Sequence, residues 1–135
     1  MGYFYAGGKT NQKTNAYCKM GETNQKYLSS RVGVIRNTEG NFFVIKYLEI
    51  PNSTQAITRA IEGHVRFMLE REGYKNVQND HFVWKTAPDR KMQEYTTFAE
   101  RAMYHAKKYC ELIGIEYIEH EGDPNARRTC RRRKK

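Results

Sequence analysis

The run Phe42 to Ile50, FFVIKYLEI, constrains the fold more than any other part of the chain. Nine residues rich in aromatic and β-branched side chains, closed by Pro51-Asn52-Ser53, predict a central, well-buried strand. Directly after it, Ile57, Ile61, Val65, Met68 and Leu69 recur at the helical period between Thr54 and Glu72. Asn52 or Ser53 is the expected cap of that helix and Gly73 its stop. A buried strand followed by an amphipathic helix calls for a sheet with helices packed on it.

The flanking segments fit that frame. Tyr3 to Ala6 and Ala16 to Gly21 read as two strands joined by a nine-residue polar linker, an antiparallel hairpin with a mobile tip. Tyr27 to Asn37 places Leu28, Val32 and Ile35 at helical spacing, a short helix weakened by Gly33. Beyond Gly73 a polar loop, GYKNVQND, leads to a short strand-like HFVW. A last helix, capped by Thr96 or Thr97, carries the stripe Phe98, Ala99, Ala102, Met103, Ala106, Tyr109, Cys110 and Ile113 and ends at Gly114. IEYI, residues 115–118, extends as an edge strand. The expected architecture is α+β: a small antiparallel or mixed three-stranded sheet flanked by helices, in one domain over residues 1–122. Its core is 1–84, with an additional helix at 96–113 and a flexible basic tail at 123–135. The last helix either completes the core, the favoured reading, or forms a dimer seam, so monomer and homodimer both stay open.

Charge and cysteine usage bound the function. Residues 127–135, RRTCRRRKK, supply seven of the nine net positive charges and leave a body near neutrality. Arg127, Arg128, Arg131, Arg132 and Arg133 suit a polyanion, because cations bound at phosphates release condensed counterions. The plainer alternative is a solubilising or localisation tail. Cys18, Cys110 and Cys130 are odd in number and form no CxxC, which favours a reducing compartment and gives no metal-thiolate signal. No apolar run is long enough to span a bilayer and no leader precedes the first strand, so a cytoplasmic protein with no membrane partner is expected. His64 and His81 lack partners at zinc spacing, and no phosphate-cradling loop, GxSxG or paired Cys and His is present.

Alternation puts Tyr3 and Tyr5 on one face of their strand, and Tyr17, Lys19 and Gly21 on one face of theirs. Glu62 lies one residue round from the buried Ile61, beside the apolar stripe, with Arg59 and Arg66 three and four residues away. Taken singly, the tyrosines suit core packing and Glu62 a surface ladder of ion pairs. Arg31 and Arg36 suit a solvated helix face.

Together these residues resemble the GIY-YIG nuclease family, in its shorter branch whose second motif reads lysine-hydrophobic-glycine. Tyr3-Phe4-Tyr5 corresponds to the first motif, Lys19-Met20-Gly21 with Glu22-Thr23 to the second, Arg31 to the first-helix arginine and Glu62 to the later glutamate. Arg36 is a second candidate for the arginine, and Asn79 for the late polar position. Two positions differ from the usual pattern: Tyr3 stands for a glycine and Lys19 for a tyrosine.

The resemblance implies a DNA endonuclease that hydrolyses phosphodiester bonds with one Mg²⁺ or Mn²⁺ held by Glu62. Tyr5, its pKa lowered by nearby cations, would position or deprotonate the attacking water. Arg31 would bind the scissile phosphate; Lys19 would add a cation or a phosphate contact, and Tyr17 would stand in for the missing hydroxyl. Lys19, Arg31, Arg36, Arg59, Asn79 and the tail arginines are the expected nucleic-acid contacts, on single- or double-stranded DNA or on RNA. A non-catalytic nucleic-acid-binding or regulatory module on the same scaffold, and a protein-interaction domain with a localisation tail, are the alternatives.

Overall fold

The computed structural model describes residues 1–10, 16–25, 27–39, 41–78, 81–83 and 91–122, with some side chains in these ranges left out. The strands are β1 (Gly2–Thr10), β2 (Ala16–Thr23), β3 (Asn41–Ile50), β4 (Lys75–Gln78), β5 (His81–Val83) and β6 (Ile118–Glu121). The helices are α1 (Leu28–Glu39), α2 (Gln55–Arg71) and α3 (Lys91–Ile113). The strands make one antiparallel sheet in the order β4-β5-β2-β1-β3-β6. The α+β class holds, but the sheet has six strands rather than the expected three. Those three are its centre.

Both faces of the sheet are covered, by different helices. Phe4, Ala6, Cys18, Met20, Leu48, Ile50 and Phe82 meet Ile61, Val65 and Leu69 of α2 and Phe98, Ala99, Ala102, Met103, Ala106 and Cys110 of α3. On the other face Tyr3, Tyr5, Phe42, Val44 and Tyr47 meet Leu28 and Val32 of α1. The α3 stripe is therefore core, apart from Ile113, which stays 43% exposed. Each large apolar side chain withdrawn from water here contributes roughly 1.5–3 kcal/mol before entropy is counted. Cys18 and Cys110 are buried free thiols, pushed up by burial to about 12 and about 11 respectively, and so are unreactive near neutral pH.

One inserted residue decides what the α1 face contains. Ala6 pairs with Lys46 but Gly7 pairs with Val44, so Ile45 is the extra residue of a bulge in β3. The bulge switches the alternation along β3, which lets Phe42, Val44 and Tyr47 all face α1. An uninterrupted strand would turn Tyr47 towards α2 and α3 instead.

Several boundaries differ from those the sequence predicts. β1 continues through Gly7 to Thr10, a stretch whose composition suggests linker, because Gly8 leaves room for an aromatic lid. A Cβ at Gly8 would meet the Phe43 and Tyr95 rings at 2.6–2.7 Å. The polar segment after Gly73, expected as a loop, contains β4, whose backbone pairs with β5 whatever its polarity. α2 is capped by Thr54, whose hydroxyl accepts from the Ile57 N–H at 3.3 Å, rather than by Asn52 or Ser53. α3 begins at Lys91, well before Thr96 and Thr97. Tyr95 is needed in the core, and Lys, Met, Gln and Glu are good helix formers. The last strand starts at Ile118 rather than at Ile115.

Both helix stops behave as the glycines require. Gly73 (φ 107) and Gly114 (φ 72) take positive φ. The next residues, Tyr74 and Ile115, return their N–H groups to Leu69 and Cys110 at 3.1 and 2.9 Å, closing each helix with a six-residue loop.

Candidate active site

The site forms where the cover of the sheet runs out. β5 pairs with β2 at Cys18 and Lys19, so among the described residues the flank of β2 beyond Lys19 has no strand beside it. Tyr5 of β1 lies directly opposite Gly21 of β2. Its ring crosses that glycine: a Cβ at Gly21 would come no further than 3.0 Å from the Tyr5 Cε1, Cζ and hydroxyl. Glycine is required there because the phenol occupies the side-chain space. The buried hydroxyl thereby lies against β2 at Gly21.

Two helices on opposite faces of the sheet carry charges that act on that hydroxyl. From α1, Arg31 hydrogen-bonds the Tyr5 hydroxyl. From α2, Glu62 acts electrostatically on that hydroxyl, as does Glu22 of β2. At about 100° per residue, Glu62 and Ile61 sit on neighbouring rows of α2. The helix buries Ile61 against the sheet and turns Glu62, its side chain 19% exposed, to the flank away from α3. His64 marks the opposite flank, where its ring stacks on Tyr109 of α3 at 4.9 Å. The Glu62 carboxylate accepts from Arg66 at 2.8 Å.

Tyr5 is 1% exposed, and burial pushes its phenol up to about 12 despite the bond and charge of Arg31. Glu62 and Glu22 push the same way. Arg31 lowers this pKa as expected of a nearby cation, but burial outweighs it and the net shift is upward. In the folded chain desolvation of the phenolate is the largest effect, because a ring laid across β2 is out of water. Tyr5 is therefore a neutral hydroxyl at pH 7, able to accept from Arg31 and to donate to an incoming oxygen.

The remaining candidates divide by register. Lys19, 5% exposed, lies two residues along β2 from Gly21, about 7 Å at strand spacing, and is diagonal to Tyr5. Tyr17 is four residues from Gly21, about 13 Å along β2. Arg59 is exposed one turn before Glu62 on the same side of α2. Arg36 belongs to α1 five residues after Arg31, about 140° round the helix and off its face. Asn79 and the tail residues Arg127, Arg128, Arg131, Arg132 and Arg133 lie outside the described residues.

The sequence pattern assigns Glu22 no role. Its only signal is its place directly after the glycine that Tyr5 crosses. Glu22 also lines an open groove of about 390 Å³ with Thr23, Asn24, Gln25, Arg31 and Gln55. Gln25 and Gln55 belong to two elements far apart in sequence, so nothing in the chain announces them as neighbours.

As a donor for a cation, Glu62 offers hard carboxylate oxygens, and the described residues hold no group of three His, Cys, Asp or Glu suited to a metal. One or two carboxylates that leave positions for water and phosphate oxygens is how Mg²⁺ is commonly held. The donor set fits that ion.

Among the described residues no helix is long and apolar enough to cross a membrane. No protein-family model, curated protein or solved structure matches the chain.

Proposed function

We propose that the protein is a metal-dependent nucleic-acid endonuclease of the GIY-YIG kind, cutting phosphodiester bonds at the Tyr5–Arg31–Glu62 site. The observation that supports this is a tyrosine hydroxyl of β1 that Arg31 of α1 hydrogen-bonds and that Glu62 of α2 acts on electrostatically, beside the part of β2 with no neighbouring strand among the described residues. A core alone does not call for a buried tyrosine hydroxyl that an arginine hydrogen-bonds and a glutamate from another helix acts on.

Arg31 is the group for the scissile phosphate: it lines the groove, its guanidinium already donates to the Tyr5 hydroxyl, and it can stabilise charge that grows on the phosphate. Tyr5, neutral and fixed by Arg31, orients the attacking water through its hydroxyl. Lys19 adds a positive charge behind it. Glu62 would hold the Mg²⁺ or Mn²⁺ ion, which neutralises phosphate charge and lowers the pKa of bound water. Arg66 holds the Glu62 carboxylate in one orientation. Arg59 and the basic tail supply contacts to phosphates away from the cut.

Incubation with supercoiled plasmid and with single-stranded DNA, in Mg²⁺, Mn²⁺ or EDTA, tests the proposal. Cutting should require the metal and fall at least a hundredfold in Glu62→Ala and in Arg31→Ala, roughly the loss seen when one charge-stabilising group is removed. Near-normal cutting by Glu62→Ala would sink it. The Glu62–Arg66 ion pair favours a second reading, a module that binds nucleic acid without cutting it. That reading predicts binding that survives EDTA and no cut strand at any metal concentration.

A further inference from the structure

We infer that the groove beside Tyr5 is a subsite for one nucleobase of the substrate strand, selective for bases with an exocyclic amino group and read by Gln25, Gln55 and Glu22. The inference rests on the endonuclease reading for its substrate, but its ligand chemistry comes from the groove.

All six residues that line the groove carry polar side chains, so a ligand with hydrogen-bonding edges finds partners there. Three of them are spent on holding it open. The Thr23 hydroxyl accepts from the Gln25 N–H at 3.1 Å. The Asn24 carboxamide, with its oxygen and nitrogen placed to satisfy their partners, accepts from the Gln55 N–H at 2.7 Å and donates to the Met1 carbonyl at 3.2 Å. Arg31 is held by Tyr5. These bonds tie the end of β2 to the start of α2 and fix the groove before any ligand arrives.

Three reading groups remain. The side chains of Gln25 and Gln55 are exposed, each with one donor and one acceptor end, and neither is used in a hydrogen bond to another described residue. Glu22 is half-buried and accepts only. Its charge repels a second phosphate, so the part of a nucleotide strand that enters next to the scissile phosphate is the uncharged one. Carboxamides match the ring-nitrogen and amino edge of a base, and a carboxylate accepts from an exocyclic amino group where it would repel a carbonyl. A volume of about 390 Å³ lies at the small end of specific ligand sites, which span roughly 300–1,000 Å³, and leaves room for a base. The base must leave the stack to enter, as in a single strand or a flipped nucleotide.

The closing experiment compares labelled 12-residue oligodeoxycytidine with oligodeoxyuridine by fluorescence anisotropy in EDTA. The two bases have equal size and differ at the amino-bearing edge. Oligodeoxycytidine should bind at least about fivefold tighter, the low end of what one good bidentate pair discriminates. The ratio should fall to within twofold in Glu22→Ala and in Gln25→Ala/Gln55→Ala, with circular dichroism used to confirm that each variant is folded. Equal binding of the two oligomers by the wild-type protein overturns the subsite, as does a preference that survives in the variants. Plasmid cutting alongside equal binding would leave the endonuclease reading standing without the subsite. Selective binding with no cutting in any metal would do the reverse.

Discussion

Gly21→Ala is the sharpest probe of the crossing on which the site depends. The added Cβ would lie no more than 3.0 Å from three atoms of Tyr5, a separation real Cβ atoms essentially never show. The phenol cannot swing aside freely, because it is 1% exposed and its ring meets the Phe42 ring edge-on at 5.7 Å. Overpacking of a closed core costs about 1–3 kcal/mol. For a chain of this size that is a fall in Tm of roughly 4–12 °C. The Arg31 bond to the hydroxyl should break as well, and a displacement of about 1 Å at a reacting group can cost about a hundredfold in rate. Thermal unfolding followed by circular dichroism gives the loss of stability, and plasmid cutting the loss of rate. Tyr5→Phe removes the atom nearest the new methyl, so the double variant should be less damaged than the sum of the two singles by about 0.5 kcal/mol or more. A Tm within about 1 °C of wild type for Gly21→Ala, or strict additivity in the double variant, would show that Tyr5 does not pass over Gly21.

Gly63→Ala should act in the opposite direction: nothing lies within 4 Å of the place its new methyl would take on α2, so the helix gains about 1 kcal/mol and Tm rises by roughly 4 °C in the same melt. Glu72 binds Arg101 at 2.6 and 3.0 Å and the buried His105, and the Arg101 hydrogen bonds lead in holding its carboxyl below the usual range. A carboxyl depressed on folding stabilises the chain above its unfolded pKa and loses that contribution as pH falls through the folded value. Denaturant titrations from pH 7 downward should therefore show the wild type losing stability below about pH 4.5, and Glu72→Gln a shallower loss. Identical slopes would refute the pairing. Removal of residues 127–135 should weaken binding to DNA of any sequence and lower the slope of log affinity against log salt, by up to about 0.9 for each of the seven cations that contacts a phosphate. An unchanged salt slope would assign the tail another role.

Much of the scaffold is legible in the chain because it follows from local periodicity. The α2 stripe, the apolar run of β3 and the glycine stops at Gly73 and Gly114 each depend on residues close in sequence, and each is found where the pattern puts it. The polar strand β4 is hidden for the same reason, since its partner β5 and not its composition makes it a strand. α3 starts early because Tyr95 is required over Gly8, a contact between residues 87 positions apart. The same limit applies at the site. Alternation already puts Tyr5 on one face of β1 and helical spacing already turns Glu62 off the buried row. Neither says that they approach one another.

By itself, then, the sequence determined which side chains each strand and helix must bury, because periods of two and 3.6 residues are properties of the backbone. Only the tertiary structure decided that Tyr5 crosses Gly21, that a bulge at Ile45 keeps Tyr47 on the α1 face, and that Arg31 and Glu62, on helices of opposite sheet faces, both act on one hydroxyl. It also decided that burial, rather than the neighbouring cations, sets the proton affinity of Tyr5. Register and solvent exclusion depend on contacts between distant segments, and a one-dimensional pattern carries no distances between them.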